Sequence, residues 1–306
     1  MIRFGLCCIF RKEPIKFRRT TAKYLKSFSR ARQLAYLAQI GLHNADSIYK
    51  ALKYCRHNNI KNFRINSQIL PLKTHPDIGY RFEELPNHRE IRRIYQRCRQ
   101  YGMKYDLRMS FHPDQFILLS SPDRRVIQRS VADLIYQAEV AQWLDVDVIN
   151  IHGGGAYGDK VGSLRRLRRE IERLPQAVRS RLTLENDDRV YTPEDLLPVC
   201  TEMGIPLVYD VHHHRCLPDG NSVEKTTGLI LKTWNREPMF HISSPANGWT
   251  ADNTRNHHDY IDVTDFPQDW LRLNITVEVE AKAKELAVLK LMDELSSLTS
   301  NPIRHR

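Results

Sequence analysis

The chain has 306 residues, 41% of them hydrophobic and 27% charged, a balance that excludes a mostly disordered or collagen-like protein and leaves enough apolar material for a sizeable core. Lys and Arg total 47 against 36 Asp and Glu, a formal net charge of +11 that favours an anionic partner. The longest apolar runs, such as 4–10 and 146–151, fall far short of the roughly 18 residues of a membrane span, and Arg11, Lys12 and Glu13 follow the first of them with no small-residue cleavage site, so neither a transmembrane helix nor a secretory signal is expected.

Short strand-like runs alternate with longer segments of helical apolar spacing. In chain order the pattern predicts a strand at 3–9, a helix at 30–58, a strand at 62–66, a helix at 87–101, a strand at 104–111 and a helix at 122–143. It continues with a strand at 147–151, a helix at 163–178, a strand at 182–185, a helix at 192–203, a strand at 206–209 and a helix at 222–234. A strand at 239–242, a loop-rich crossover around 247–270, a strand at 273–280 and a helix at 281–297 complete it. Ser121 or Pro122 with Asp123 opens one helix and Thr192-Pro193-Glu194 another, while Gly102 and Gly204 are each expected just past a helix end. Eight strands with crossovers in about 300 residues predict an α/β fold, a (β/α)8 TIM barrel. A doubly wound sheet would carry a glycine-rich turn after its first strand, and residues 7–12 contain no glycine. With no repeat and no Pro/Gly/Ser linker, residues 1–306 read as one domain.

The chemistry is expected at the C-terminal strand ends, where the βα loops of a parallel barrel converge. Six successive strands end on ionisable residues: His112, His152, Glu185, Asp210, His241 and Glu280, with Glu278 two residues earlier on the same face. Periodicity alone does not choose between Glu278 and Glu280. Imidazoles and carboxylates converging on one mouth would carry several kcal/mol of unpaired burial cost without cations. Mixed His and carboxylate ligation suits Zn²⁺ or Mn²⁺, and a shared carboxylate such as Glu185 can bridge two ions. His75 follows the second strand, His212, His213 and His214 the sixth, and His257 and His258 the seventh, any of which could complete a further site.

Gly153-Gly154-Gly155, directly after His152, would let backbone N–H groups approach a phosphate. Phe116, Tyr157 and Trp249 are loop aromatics at the same end, suited to stacking on bases. The run Arg165, Arg166, Arg168 and Arg169 reads as a solvated helix face. The cysteines, Cys7, Cys8, Cys55, Cys98, Cys200 and Cys216, contain no C-x-x-C pair, so no zinc ribbon or disulfide framework is indicated and a reducing, cytoplasmic setting is expected. Cys7 and Cys8 are expected to pack. Clustered divalent ions at a basic barrel mouth suit phosphodiester hydrolysis, with nucleic acid as substrate.

FHPDQF (111–116), HGGGAYGDK (152–160), LEND (184–187), YDVHHH (209–214) and VEAKAKE (279–285) resemble the UV damage endonuclease family, itself similar to endonuclease IV, over about residues 3–285. The resemblance implies a barrel that nicks damaged double-stranded DNA immediately 5′ to UV photoproducts and some other lesions, leaving a 3′-hydroxyl. It implies two to three divalent ions, Mn²⁺ in preference to Zn²⁺ or Mg²⁺; action as a monomer is expected from the size of the chain. By motif match, His112, His152 and Glu185 hold one ion, Glu185, Asp210, His241 and Glu280 a second, and His213 and His258 a third. Glu185 and His75 belong to the catalytic site, Gln115 and Phe116 probe the damaged duplex, and Gly153, Gly154 and Tyr157 stand with them as substrate-binding residues.

Three positions depart from the family pattern. Phe116 stands where tyrosine is common, Leu6 where some members carry a probing aromatic, and Met239 where the family has a carboxylated lysine, so that metal site is expected to be tuned differently. The rival readings are a sugar isomerase or epimerase of the xylose isomerase type, an abasic-site nuclease of the endonuclease IV type, and a DNA-binding protein without catalysis. An intact ligand set argues against the last.

Overall fold

The computed structural model describes residues 1–113 and 116–300. Its elements in chain order are β1 (Ile2–Cys7), α1 (Ala22–Leu25), α2 (Arg30–His57), β2 (Asn62–Ile65), α3 (His88–Tyr105), β3 (Arg108–Phe111), α4 (Arg124–Leu144) and β4 (Val148–His152). They continue with α5 (Lys160–Arg173), α6 (Gln176–Arg179), β5 (Leu182–Glu185), α7 (Pro193–Met203), β6 (Leu207–Asp210), α8 (Val211–Cys216), α9 (Val223–Leu231), β7 (Met239–Ile242), β8 (Ile275–Val279) and α10 (Glu285–Ser300). The eight strands pair in sequence order and close as a parallel barrel, β8 lying beside β1 with Ile2 opposite Ile275 and Leu6 opposite Val279. This is the predicted TIM barrel. No described helix is long and apolar enough to cross a membrane.

Alternation along each strand sorts the side chains. Those facing outward, among them Leu6, Phe63, Phe111, Ile151, Leu184, Tyr209 and Phe240, join the main apolar core under the helices. Those facing inward are largely polar, and they satisfy one another across the barrel. Glu278 accepts from Asn62 Nδ2 at 2.9 Å and from the Ser110 hydroxyl, Asn150 Nδ2 donates to Glu185 Oε2 at 2.5 Å, and Thr183 Oγ1 donates to Asn150 Oδ1 at 2.9 Å. At the N-terminal end, Arg108 forks onto Asp147 at 3.1 and 2.7 Å and Arg3 reaches Glu237 at 2.8 Å. Val148, Val208 and Met239 form a small separate apolar cluster.

Several boundaries differ from expectation for identifiable reasons. Gly102 does not follow a helix end: it lies inside α3, where a Cβ would meet Met109 at 3.2 Å, and the helix runs on to an Asp106 cap at φ 52°. Aspartate tolerates that left-handed backbone, so β3 starts only at Arg108. The helix expected at 163–178 breaks at Leu174 and Pro175 into α5 and α6. Asp123, not Ser121 or Pro122, caps α4, accepting from the Arg125 N–H at 2.8 Å. The Thr192 cap is as predicted, with a reciprocal capping box to Asp195, Pro193 at the first helical turn and Gly204 in the left-handed cap at φ 63°. The 247–270 crossover is loop-rich, with two short 3-10 turns, Val263–Asp265 and Gln268–Arg272. Helix α8 was not foreseen, and it matters for the site.

Candidate metal centre

Each predicted strand-end residue arrives at the barrel mouth. His152, Glu185 and Asp210 are the last residues of β4, β5 and β6, His241 lies in β7, and His112 and Glu280 directly follow β3 and β8. Three overlapping sets of potential ligand atoms result, each within 4.8 Å of one another: His112, His152 and Glu185; His112, His241 and Glu280; and Glu185, Asp210 and His213. Glu185 is the hub. Its carboxylate lies 2.9 Å from His112 Nε2, 3.2 Å from His241 Nδ1 and 3.4 Å from His213 Nδ1, and His241 Nδ1 is 3.4 Å from Glu280.

Helix α8 brings His213 into this set. Asp210 caps the helix, accepting from the His213 N–H at 2.8 Å, so the chain turns back and puts the His213 ring 3.5 Å from the Asp210 carboxylate. Asn186 fixes the turn from below, donating to the Asp210 carbonyl at 2.9 Å and accepting from its N–H at 3.0 Å. His214 points the other way, between the Tyr209 hydroxyl at 2.7 Å and Asp219 at 3.0 Å.

The donor set fits divalent cations. Among the described residues, His112 Nδ1, His152 Nδ1 and Asp210 Oδ2 are buried without a hydrogen-bond partner, an arrangement that costs free energy unless a cation completes it. Burial alone would raise the Glu185 carboxyl, but His241, His152 and His112 hold it well below the usual carboxylate range. Burial would lower His213 and His241, yet Asp210 and Glu185 beside the first and Glu185, Glu278 and Glu280 beside the second push both well above the ordinary imidazole value. His152 is lowered by burial, with Glu185 only partly offsetting it.

The remaining predicted residues divide. His258 does not join His213: its N–H is tied to the Ser244 carbonyl at 2.8 Å and its Nδ1 faces Tyr260 at 3.0 Å. His257 turns inward instead, its ring 6.3 Å from that of His213 and its Nδ1 3.9 Å from Glu280, because an isolated bridge to Pro245 orients it. His75 lies outside the clustered ligand sets; its Nδ1 accepts from the Asp77 N–H at 3.1 Å, and it lines a 250 Å³ cavity together with Phe116. Phe116 is 75% exposed and Tyr157 46% exposed, whereas Leu6 is fully buried. Gln115 lies outside the described residues. Gly153 is needed where a Cβ would come 2.8 Å from the Tyr191 ring, and Gly154 adopts φ 89° against Ser120, so packing accounts for both glycines. Trp249 is exposed at 36% and donates to Asp265 at 2.7 Å. Met239 sits with Val148 and Val208 and not in any of the ligand sets.

Sequence reading missed Arg64, Glu278 and Cys7 as one unit beneath the mouth. Arg64 bridges Glu278 at 3.1 Å and Glu280, and Cys7, which does pack, places its sulfur within 4.8 Å of both carboxylates. Burial pushes its thiol well up. The signal was present in the period-two alternation, which puts Asn62 and Arg64 on the inner face of β2.

Glu278 carries a pH prediction. Burial would raise its carboxyl, but Arg64, His241 and Ser110 bring it from 4.5 down to about 2. A lowered carboxyl stabilises the fold above its unfolded value and loses that contribution as pH falls from about 4.5 through about 2. Glu278→Gln is expected to cost about 3 kcal/mol at neutral pH, since it removes the buried charge that faces His241 and Arg64 and leaves Arg64 with Glu280 alone, and to flatten the acid limb of stability. Urea midpoints measured from pH 7 to 3 check this; identical wild-type and variant midpoints at pH 7 would show the carboxylate to be unimportant.

A closed parallel barrel with a buried imidazole and carboxylate cluster at its C-terminal mouth defines a metal-dependent TIM-barrel enzyme site. Residues 2–303 match the family described as UV-endonuclease UvdE. The UV DNA damage endonuclease of Bacillus velezensis is 36% identical, with 97% of this chain and 95% of that protein covered, and that of Bacillus mycoides 34% identical, covering 86% and 84%. The crystal structure of SacUVDE superposes with a TM-score of 0.87 at 25% identity over 98% of this chain and all of that one. The chain belongs to the UV-endonuclease UvdE family. Endonuclease IV from Thermus thermophilus (TM-score 0.62, 13% identity, 97% of this chain and 99% of that one) and a D-psicose 3-epimerase from Clostridium cellulolyticum (0.57, 11%, 97% and 98%) share the fold.

Proposed function

We propose that this chain nicks damaged double-stranded DNA at the phosphodiester immediately 5′ to a UV photoproduct, leaving a 3′-hydroxyl, as one domain acting as a monomer in the cytoplasm. The observation that carries the reading is the hub carboxylate of Glu185, shared between two ligand sets at the barrel mouth of a chain with a net charge of +11. His112, His152, Glu185, Asp210, His213, His241 and Glu280 would hold two to three divalent ions, Mn²⁺ preferred over Zn²⁺ or Mg²⁺, with His257 taking the place expected of His258. Such ions supply Lewis-acid charge for phosphoryl transfer. The chain itself holds the ligands in place through Asn150, Thr183 and Asn186, and keeps Arg64 beneath the mouth to balance the carboxylates. Phe116, exposed beside the mouth, is the ring that enters the space left by flipped lesion bases, with Gln115 as its partner. His75 shares a cavity with Phe116, and Tyr157, exposed in the loop after β4, would border the backbone path with the Gly153-Gly154 turn, whose glycines packing already requires.

An end-labelled duplex assay with Mn²⁺ tests this, comparing a photoproduct, an abasic site and undamaged DNA against a chelator control. A metal-dependent nick 5′ to the photoproduct is expected; cleavage at abasic sites alone would move the chain to endonuclease IV chemistry, and no cleavage would overturn the nuclease reading. In the same assay Phe116→Ala should lower the preference for damaged over undamaged DNA about tenfold, the scale of one lost base-aromatic stack, while metal content stays unchanged. An unaltered preference would remove its probe role.

A further inference from the structure

Helices α4 and α5 leave a groove between them, a cavity of 630 Å³ that the catalytic reading does not use. Arg124 from α4 and Arg166, Arg169 and Arg173 from α5 line it, with Glu170 as the carboxylate among its lining residues. Glu170 is already shared by Arg169 at 3.0 Å and Arg173 at 3.4 Å. Arg166 is fixed by neutral acceptors, its Nε donating to the Ser120 carbonyl at 2.9 Å and its Nη2 to Ser163 Oγ at 2.7 Å. Among the described residues neither Arg124 nor Arg166 has a carboxylate partner. Four guanidiniums against one carboxylate leave a strong positive excess in a partly enclosed channel. The arginine run thus departs from a uniformly solvated face: Arg165 is exposed, Arg168 pairs with Glu202 at 2.6 Å on the opposite side, and Arg166 and Arg169 turn into the groove.

The groove adjoins the loops that follow β3 and β4, since Ser121 and Pro122 line it. Ser120, which receives Arg166, donates from its own hydroxyl to the Gly155 carbonyl at 3.2 Å, and Gly155 lies three residues after His152. Arg166, Arg169 and Arg173 follow one another down a single face of α5 over about 10 Å, a span of several phosphates along a DNA strand. Guanidinium forks match phosphate oxygens in shape as well as charge.

We infer that this α4/α5 groove is a second, non-catalytic contact for DNA, taking backbone phosphates of the duplex flank that continues beyond the barrel mouth. The inference rests on the reading of the mouth as a DNA site. It assigns to the groove affinity without sequence or lesion selectivity, because phosphates are the same at every step.

The test compares Arg124→Ala/Arg169→Ala with Arg129→Ala/Arg165→Ala, which removes the same charge from the same two helices outside the groove. Binding to undamaged duplexes with long and short flanks is measured by anisotropy over a salt series, and nicking turnover is measured at saturating lesion substrate. The groove variant should bind the long-flank duplex about tenfold more weakly at low salt, with the salt slope reduced by about 1 to 2. Its affinity for the short-flank duplex and its saturated turnover should match wild type. A salt slope unchanged from wild type, or an equal loss in the control variant, overturns the inference and leaves the groove to an acidic polypeptide. A wild-type protein with no affinity for any duplex would fail the mouth reading itself and the groove with it.

Discussion

Glu185→Gln should abolish metal-dependent cleavage, lowering turnover by about three orders of magnitude or more, the scale of residues that act as a unit with their neighbours. The carboxylate contacts His112, His241 and His213 at 2.9 to 3.4 Å and belongs to two of the ligand sets, so its amide replacement loses a formal charge and a ligating oxygen at both. The side chain is buried and isosteric with glutamine, and Asn150 can still hold one oxygen, so the barrel should remain folded. Metal content by elemental analysis should fall together with activity, while the far-ultraviolet circular dichroism spectrum should not change. Normal turnover by this variant would sink the shared-carboxylate assignment.

Metal loading should also be strongly coupled to protons. His213 and His241 are held well above the ordinary imidazole value of 6.5 by the carboxylates around them, so in the metal-free protein they carry protons that ligation must expel. Apparent metal affinity should fall about tenfold per pH unit for each proton displaced as the solution is acidified. The sign for the metal-free fold is the reverse. A raised imidazole stabilises below its unfolded value and loses that contribution as pH rises through the folded one, so the metal-free protein should lose thermal stability on the alkaline side of about pH 6.5 while the Mn²⁺-loaded protein gains relative to it. Calorimetric titration in buffers of different ionisation enthalpy, with melting curves from pH 6 to 9, reads both effects. Loading without proton release would show that these imidazoles are neutral before the ions arrive.

Much of this site was legible because barrel topology turns a one-dimensional pattern into a place. Once alternating elements are recognised as βα units, the last inward residue of each strand must face the mouth, and His112, His152, Glu185, Asp210 and His241 follow from that rule, whereas on β8 it leaves Glu278 and Glu280 open and only the family resemblance selects Glu280. Positions off the strands were harder to place. His257 and His258 are neighbours in a loop with no period to separate them, and it is the bridge from Pro245 that decides which one turns inward. Helix α8 is a single short helix whose cap is itself a candidate ligand, so the His212-His213-His214 run showed no apolar stripe by which to place each ring. Arg64 escaped notice because an arginine inside a strand reads as surface charge until its partners, more than 200 residues away, are known.

The polar lining of the barrel has a consequence for synthesis on the ribosome. Asn62, Ser110, Arg64 and His241, all on strands made before β8, depend on Glu278, and β1 can pair with its second neighbour only when β8 is present. A nascent chain missing the last thirty or so residues therefore holds an open sheet whose inner face is an unmet demand for one carboxylate, not a partial core able to settle on its own. Closure becomes a late, long-range event, of the kind that slows folding and exposes unpaired strand edges meanwhile. Arrested chains released just before and just after β8 should differ sharply in protease resistance, and the cell's chaperones would meet this protein mainly in that interval.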